Sequence, residues 1–424
     1  MTGKSKFILT AVAAAAVLVV SNGYAEKATW TLNRCVEEAL ARNPLILSSI
    51  QQHQAALARV RQAGALPQPN LDFDSDLQPR LLDFRGSEEF YYGVSQLFEF
   101  PGKRRLRRSI AGREAQEVQA DIDLLKLDVA LQVKEAFHGL LLASENLRLA
   151  RQNLELTRDF LAKTELKHAE GAIARVDVLR ARVEDLKAAN DVKTAENEVR
   201  LARAGLNVLL SRDRNAPLEI QEEHRPNGAD LPPLEAFLRR ALSLRPEILR
   251  LGLAMDREAL KKTQGYMGYL PDFEIGLSRH RITGEKTTWD FTLSVPIPLF
   301  FWQPLRGEVA EAEALGRSLQ KEMTHMEMLV GLEVEEAYSR AATAADQIKL
   351  FEEDILAEAE EAYDMFLFSY QEGEIGGMEL IDARRTLIEV RQTYAEALHN
   401  YGVTLSLLER SVGTLAGKIG DDNE

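Results

Sequence analysis

Hydrophobic and polar residues follow two different periods along the chain, and each period occupies its own segments. In residues 71–98 and 273–295, apolar side chains fall at every second position, the pattern of a β-strand with one apolar face. After each of these regions, apolar and small residues are spaced by threes and fours, the pattern of a long helix that packs along a narrow seam. The pattern predicts a mainly α-helical protein with a smaller β part.

Four segments have the strand period. Their alternating apolar residues are, segment by segment, Leu71, Phe73 and Leu77; Phe90, Tyr92, Val94 and Phe98; Phe273, Ile275 and Leu277; and Trp289, Phe291, Leu293 and Val295. Each segment is about ten residues long, as a tilted membrane strand requires, and aromatic residues concentrate on the apolar face. A soluble β domain with one buried face would show the same alternation. Four strands cannot close a barrel, so if they cross a membrane several chains must pool them.

A long proline-free stretch follows each strand pair. No proline occurs between Gly102 and Ala216 or after Pro304. The seam residues of the first stretch are Val118, Ile122, Leu125, Val129, Val133, Phe137 and Leu140, and those of the second are Leu315, Leu319, Met323, Met326, Val330, Val334, Ala337, Ala341, Ala344, Ile348, Phe351 and Ile355. Between Pro101 and Gly171 we expect about 65 helical residues, a rod of about 100 Å. A soluble coiled coil would explain these helices but not the strands before them.

The two halves of the chain carry the same turn signals at a constant spacing. Asn43-Pro44 recurs as Arg245-Pro246, and Glu170-Gly171 recurs as Glu372-Gly373, each 202 residues later. The same spacing relates residues 69–73 to 271–275, Phe98 to Phe300, Arg104 to Arg306, Asp177 to Glu379 and Arg182 to Arg384. A constant spacing over so many positions indicates an internal duplication.

Each copy is predicted to contain a helix, two strands, one very long helix, a tight tip and a return helix. The first copy covers residues 26–215 and the second covers 234–413. Residues 216–233 contain proline, asparagine and glycine and are predicted to link the copies. Residues 414–424 form a polar C-terminal tail.

The first 25 residues have the three parts of a secretory signal peptide. Lys4 and Lys6 supply the positive region, Phe7 to Val20 are apolar, and Gly23-Tyr24-Ala25 is a small-x-small cleavage site. An uncleaved membrane anchor is the alternative, but the apolar stretch is shorter than the roughly 20 residues that span a bilayer. We therefore expect residues 1–25 to be removed and the rest of the chain to be exported.

Charge and motif content exclude several functions. The formal net charge of −14 leaves no basic excess to neutralise phosphates, so nucleic acid is not an expected partner. Cys35 is the single cysteine; it lies too far past the cleavage site to carry a lipid, and we expect it to be a small buried side chain. The sequence has no P-loop, no dinucleotide-binding glycines and no His-Glu-x-x-His motif. We predict that the protein is not an enzyme and needs no cofactor; an exported polysaccharide-processing enzyme would require a carboxylate site that the sequence does not show.

Several motifs, in this order and partly duplicated, resemble those of the TolC family of outer-membrane efflux proteins. They are Ala39-Leu40-Ala41-Arg42-Asn43-Pro44, the Phe-Glu-Phe-Pro-Gly-Lys-Arg-Arg stretch at 98–105, Glu170-Gly171 with Val176-Asp177-Val178-Leu179, and Tyr370 through Ala383. The resemblance covers essentially the whole mature length. It implies a homotrimer whose four strands per protomer form a twelve-stranded barrel in outer-membrane lipid, continued by a periplasmic α-helical tunnel. It further implies a passive exit duct, with a periplasmic adaptor protein and an inner-membrane transporter as partners.

The substrate and one rival function stay open at this stage. The stretch at 98–105 is similar to that of channel subunits of heavy-metal resistance-nodulation-division pumps, although members with other substrates carry similar stretches. The rival is a periplasmic adaptor with helical hairpins and a small β domain, which would lack lipid-facing strands of this length. Fractionation would separate the two, because an adaptor should leave the membrane in high salt.

Two clusters allow more than one interpretation. Met323, His325, Met326 and Met328 suggest a soft-metal site, but Met323 and Met326 lie on the apolar seam and core packing explains them better, so no metal site is predicted. The basic run 103–108 begins the first long helix and could pair with lipid phosphates or with neighbouring carboxylates, or could be a solvated helix start.

The resemblance implies that the tips meet the adaptor. These tips are Glu170, Gly171, Ala172 and Ile173 in the first copy and Glu372, Gly373, Glu374 and Ile375 in the second. A glycine permits the backbone reversal that a residue with a Cβ resists. The tips could be simple turns, but we expect an exposed isoleucine at each, which favours an interface.

The resemblance also implies a gate just past the second tip. Glu379 and Asp382 match carboxylates that ring the closed end of the tunnel, and three copies of each would attract cations. Tyr370 and Asp177 match a hydrogen-bonded pair that holds the tunnel shut. Ile375 stands where the family has an arginine, so this closure is expected to be built differently. An ordinary solvated helix face is the alternative for Glu379 and Asp382.

Overall fold

Helices dominate the structure, as the spacing of apolar residues predicts. The computed structural model describes residues 29–76, 89–221, 231–282, 284–297, 299–300 and 302–415. The predicted signal peptide, Leu77, part of the predicted linker and most of the predicted tail lie outside these ranges. The elements are α1 (Leu32–Arg42), α2 (Pro44–Ala63), β1 (Asn70–Asp76), β2 (Glu89–Phe98), α3 (Lys103–Ala169), α4 (Arg175–Leu209), α5 (Leu234–Leu244), α6 (Pro246–Met267), β3 (Phe273–Ile282), β4 (Thr288–Ser294), α7 (Trp302–Leu350), α8 (Leu356–Glu372) and α9 (Gly377–Val412). A π-helical turn, Phe351–Ile355, joins α7 to α8.

Each half begins with two helices, so the single helix predicted before each strand pair is wrong. The breaks fall at Asn43 and Arg245, directly before Pro44 and Pro246. Proline lacks the N–H that would continue the preceding helix, and its fixed φ suits the first position of the next one. At the first break the Asn43 side chain also accepts a hydrogen bond from the Leu45 N–H at 2.9 Å.

The four strands form one antiparallel sheet in the order β1-β2-β3-β4. The predicted alternation places apolar side chains on one face, where Leu71 is 83% exposed and Phe291 is 69% exposed. Acidic side chains lie on the opposite face: Asp72, Asp74, Asp76, Glu274 and Asp290. β2 and β3 are ten residues long as predicted, whereas β1 and β4 are seven. No part of the described chain covers the apolar face, so the sheet does not have the buried face of a soluble β domain.

The predicted long rod is present. α3 has 67 residues, which at helical rise is about 100 Å. In the second half, the predicted seam is buried from Val330 to Ile348, whereas Leu315 nearer the sheet is 44% exposed. This second rod is interrupted by the π-helical turn, which the sequence pattern does not predict. No helix in the described ranges is apolar enough over a sufficient length to cross a membrane.

A hydrophobic core lies where the short helices pack on the rods. Cys35 of α1 is fully buried there with Val133 and Phe137 of α3 and Leu206 of α4. Burial raises the pKa of the Cys35 thiol to about 12, so the thiol stays protonated. The expectation of a small buried side chain at this position is confirmed.

Two buried ion pairs lie near this core, one within the second half and one between the two halves. Arg245, only 2% exposed, binds Glu247 through two hydrogen bonds of 2.8 and 3.0 Å and donates a third to the Ser411 carbonyl oxygen at 3.0 Å. Lys134 of α3 forms a buried ion pair with Glu409 of α9. The rods of the first and second halves are therefore fixed to each other by charge as well as by packing.

The basic run at the start of α3 is partly neutralised within the chain. Lys103 Nζ lies 2.9 Å from an Asp272 carboxylate oxygen, and Arg107 binds Glu99 through two contacts, one of them 3.0 Å long. Neighbouring carboxylates are thus the partners of these two residues. Arg104, Arg105 and Arg108 are exposed.

Candidate tip and gate site

Both tips have the same backbone geometry. Gly171 has φ of +77° and Gly373 has φ of +81°, the left-handed region that the predicted backbone reversal requires. The Ala172 N–H donates to the Lys167 carbonyl oxygen, and the Glu374 N–H donates to the Ser369 carbonyl oxygen, each at 2.9 Å. These six-residue closures are the Schellman motif, which ends α3 and α8 sharply.

The side chains of the tips differ from the expectation in one respect. Ile173 and Ile375 are half-buried rather than exposed. The tight turn keeps position 173 beside the end of α3, where His168 Nδ1 lies 2.9 Å from the Ile173 carbonyl oxygen. The exposed residues of the two tips are Glu170, Gly171, Ala172, Glu372, Gly373 and Glu374. The surface that the tips present is therefore acidic and polar.

A small apolar cluster holds the two hairpins, α3–α4 and α8–α9, side by side near the tips. It is formed by Phe160 of α3, Ala181 of α4, and Leu380 and Ile381 of α9. Tyr370 of α8 packs against it, with its ring centroid 5.7 Å from that of Phe160. The cluster contains residues from all four helices, so the tips are one packed unit within the chain.

The structure does not join the predicted pair Tyr370 and Asp177. Within the described chain, no hydrogen bond connects the Tyr370 hydroxyl to the Asp177 carboxylate. The Tyr370 ring contacts Phe160 and has Lys167 Nζ 4.4 Å from its centroid. Asp177 lies in the first turn of α4, where an Arg180 nitrogen is 4.0 Å away. In this conformation Tyr370 therefore contacts residues of α3, whereas Asp177 lies beside a residue of its own helix, α4.

Glu379 and Asp382 lie on one face at the start of α9, six and nine residues after Gly373. Both are exposed, as an ion-lining role requires. Asp382 Oδ1 is 3.6 Å from an Arg385 nitrogen, so a cation already stands beside this carboxylate. The two predicted gate carboxylates thus lie on neighbouring turns of one helix, and Asp382 has Arg385 as a counter-charge.

The sequence reasoning missed Glu184 of α4, which meets two consecutive arginines of α9. Arg385 donates a hydrogen bond of 2.6 Å to Glu184, and an Arg384 nitrogen lies 3.9 Å from the other carboxylate oxygen. Arg384 is only 5% exposed. The one available signal was that Arg384 recurs from Arg182 at the 202-residue spacing, but that spacing does not indicate which residue it faces.

Both charges of this contact are retained at neutral pH. Burial lowers the pKa of Arg384, although the neighbouring Glu184 and Tyr363 act in the opposite direction, and an arginine stays protonated. Burial acts to raise the pKa of Glu184, but hydrogen bonds from Lys187 and Arg385 outweigh it and the pKa is lowered. A cavity of about 130 Å³ is lined in part by Arg384, together with Phe160, Tyr363 and Tyr370.

In the methionine-rich segment, the seam residues Met323 and Met326 are half-buried, whereas His325 and Met328 are exposed. Met326 packs against the cluster of α5, α7 and α9 that contains Val330, while Met328 is 63% exposed. Among the residues that the structure describes, no group of three or more His, Cys, Asp or Glu side chains is arranged to hold a metal ion.

Comparison with known proteins gives a consistent result. The family described as outer membrane efflux protein matches residues 35–212 and again residues 238–414. The crystal structure of CusC, described in terms of folding and transmembrane channel formation, aligns with a TM-score of 0.76 at 19% identity over 90% of this chain and 92% of CusC. The Campylobacter jejuni CmeC outer membrane channel aligns with a TM-score of 0.72 at 16% identity, over 90% of this chain and 85% of CmeC. The open state of the Neisseria gonorrhoeae MtrE outer membrane channel aligns with a TM-score of 0.74 at 16% identity, over 90% of this chain and 89% of MtrE.

These structural likenesses establish the fold, and the sequence match establishes the family. A comparison with curated proteins found no match. The family match covers both halves of the chain and includes the tips, α4 and α9. The chain therefore belongs to the outer membrane efflux protein family, the TolC-like channels that span the outer membrane and continue into a periplasmic helical tunnel.

Proposed function

We propose that three copies of this chain form the exit duct of a tripartite efflux pump. This proposal rests on two features of the sheet. Its apolar face is exposed, and its outer strands, β1 and β4, each pair on one side only within the described chain. Unpaired strand edges are not tolerated in lipid. Pairing β4 of one copy with β1 of the next removes every edge once the ring closes. The family resemblance supplies the number three, hence twelve strands.

The duct conducts passively and is energised by its partners. The exposed apolar face of the sheet contacts outer-membrane lipid, and the acidic face lines the channel. The rods carry the channel into the periplasm, where the two acidic tips meet the adaptor protein. The inner-membrane transporter loads the substrate. In support, each tip ends in a sharply capped turn whose carboxylates are available to a basic partner surface.

The proposed gate is the start of α9, together with Tyr370 and Asp177 on the helices beside it. Three-fold symmetry brings six carboxylates from Glu379 and Asp382 around the axis. Their summed negative potential concentrates cations and is partly screened by salt. Arg385 beside Asp382 tempers this potential without cancelling it, since Glu379 has no ion pair within the described chain. Metal cations are the proposed substrate class, on the resemblance of residues 98–105 and the sign of this charge.

Single-channel recording in planar bilayers tests this function. Wild-type protein should form cation-selective channels, and a zinc chloride gradient should give a reversal potential on the cation side. Replacing Glu379 and Asp382 together with Ala should lower the cation-to-anion permeability ratio severalfold and weaken block by multivalent cations.

The matched control replaces Asp191 and Glu198 with Ala, which removes the same charge from exposed positions of α4 far from the tip. This control should keep wild-type selectivity. The gate assignment is wrong if the Glu379/Asp382 variant is indistinguishable from wild type. A zinc reversal potential on the anion side would contradict the metal proposal.

A further inference from the structure

A cleft of about 520 Å³ lies where the end of β2 meets the start of α3. Part of its wall is apolar and exposed, formed by Leu66 before the sheet and by Phe98 at the end of β2. Arg104 and Arg105, in the first turn of α3, line the same cleft. The cleft therefore offers apolar surface and two cationic side chains side by side.

The two arginines of the cleft are not neutralised within the described chain. The nearby carboxylates are taken by other residues of the basic run, since Asp272 pairs with Lys103 at 2.9 Å and Glu99 pairs with Arg107. Arg104 and Arg105 are exposed and form no ion pair with any residue that the structure describes. On a chain with a formal net charge of −14, this local excess of positive charge favours an anionic partner from outside the chain.

The second copy of the repeat has the apolar part of this surface but not the pair of charges. Phe300, the equivalent of Phe98, is exposed there. Arg104 recurs as Arg306, whereas the position of Arg105 is occupied by Gly307. The passage from strand to long helix is therefore built without adjacent arginines in the second copy, so this element does not require them.

The position of the cleft indicates the kind of anion. Its apolar wall continues into the exposed face of the sheet, because the Phe98 ring stacks on that of Phe273 with 5.4 Å between centroids. In the proposed duct that face contacts outer-membrane lipid and α3 leads into the periplasm. Arg104 and Arg105 then lie where the hydrocarbon of the periplasmic leaflet ends and its phosphate groups begin.

We propose that this cleft binds an anionic phospholipid of the periplasmic leaflet, with an acyl chain against Leu66 and Phe98 and the headgroup phosphate between Arg104 and Arg105. The proposal rests on the proposed function, because it requires the sheet to lie in the outer membrane. Guanidinium groups bind phosphate through paired hydrogen bonds. A lipid with a net negative charge is favoured over a zwitterionic one, whose own cationic group neutralises the phosphate. Each chain carries one such lipid, which fixes the height of the sheet in the membrane.

Native mass spectrometry of the delipidated mature protein in detergent tests the site. Dioleoylphosphatidylglycerol should fill one saturable site per chain, with an affinity roughly tenfold higher than that of dioleoylphosphatidylcholine, which has the same acyl chains. An excess of inorganic phosphate should not displace the bound lipid, because it lacks the apolar part. Equal affinity for the two lipids would overturn the proposal, and displacement by inorganic phosphate would show a phosphate site instead of a lipid site.

Arg104→Gln and Arg306→Gln form a matched pair, each removing one exposed arginine from equivalent positions of the two copies. Arg104→Gln should lower the affinity for phosphatidylglycerol severalfold, and Arg306→Gln should leave it unchanged. Arg104→Gln/Arg105→Gln should lower it to that for phosphatidylcholine, with the wild-type helix content in circular dichroism. Wild-type affinity in this double variant, or an equal loss in Arg306→Gln, refutes the site.

Failure of the lipid site and failure of the proposed function give different results. Wild-type protein that forms channels in planar bilayers but binds both lipids equally refutes the lipid site alone. Wild-type protein that forms no channel refutes the proposed function.

Discussion

The position of His138 on α3 requires a glycine on the helix that it packs against. It lies against Gly402 of α9, where an added Cβ would be 2.5 Å from the imidazole ring. Burial, with smaller effects from His399 and Lys134, lowers the pKa of His138 from 6.5 to about 4. The imidazole is therefore neutral in the folded protein at pH values where it would be half protonated in the unfolded chain.

This shift predicts acid sensitivity with a defined sign. Because the folded pKa lies below the unfolded one, the contribution of His138 is complete above pH 6.5 and is lost as the pH falls toward 4, by at most about 3 kcal/mol. His138→Gln should remove this component, so the difference in unfolding free energy between wild type and variant should shrink between pH 7 and pH 4.5. Denaturant unfolding followed by circular dichroism measures it. The exposed His325→Gln is the control, and a pH-independent difference for His138→Gln would contradict the shift.

Single residues were predictable where the backbone dictates them and not where packing does. Gly171 and Gly373 could be assigned to the tips because a left-handed turn restricts the residue type. The contact of Glu184 with Arg384 joins positions 200 residues apart and depends on how two helices cross. The half-buried state of Ile173 likewise depends on the path of the turn, which the sequence period does not describe.

At the scale of elements, the spacing of apolar residues predicted the long helices and the strands, and the glycines predicted the tips. The break before Pro44 was not predicted, although the proline that causes it stands in the sequence. The π-helical turn Phe351–Ile355 was not visible, because the apolar seam keeps its spacing of three and four through it, at Ile348, Phe351 and Ile355. In the structure the Phe351 ring lies 6.0 Å from that of Tyr394 on α9, whose hydroxyl donates to Glu352 at 2.7 Å.

The buried pair between α3 and α9 predicts strong coupling of these elements. Lys134→Met should cost about 3–5 kcal/mol of unfolding free energy, because it leaves Glu409 buried without its cation. The double variant Lys134→Met/Glu409→Leu should cost less than Lys134→Met alone, since no unpaired charge remains. Urea unfolding of the detergent-solubilised protein measures both.

The control for this cycle is the exposed pair of Arg148 and Glu145 on α3. Arg148→Met should cost less than about 1 kcal/mol, as solvent-exposed pairs do. If Lys134→Met costs no more than Arg148→Met, the buried pair does not fix α3 to α9.

At the scale of the whole molecule, the fold class could be predicted from the sequence. The strand and helix spacings of apolar residues occur in the same order in both copies of the 202-residue repeat. The sheet with an exposed apolar face and the long helices are found as predicted. The number of chains does not follow from one chain, since two open edges require closure but fix no ring size. The acidic face of the sheet and the carboxylates of the tips gain their proposed roles only in the closed assembly.

If the sheets of three chains close one barrel, the intact assembly contains three copies of the chain, and its mass distinguishes this number from any other. Native mass spectrometry of the protein, extracted from outer membranes in detergent, should give a species with three times the mass of the mature chain. Heating should convert it to single chains. A stable single chain that keeps its strands in detergent, or an assembly of any other number, would contradict the three-chain barrel.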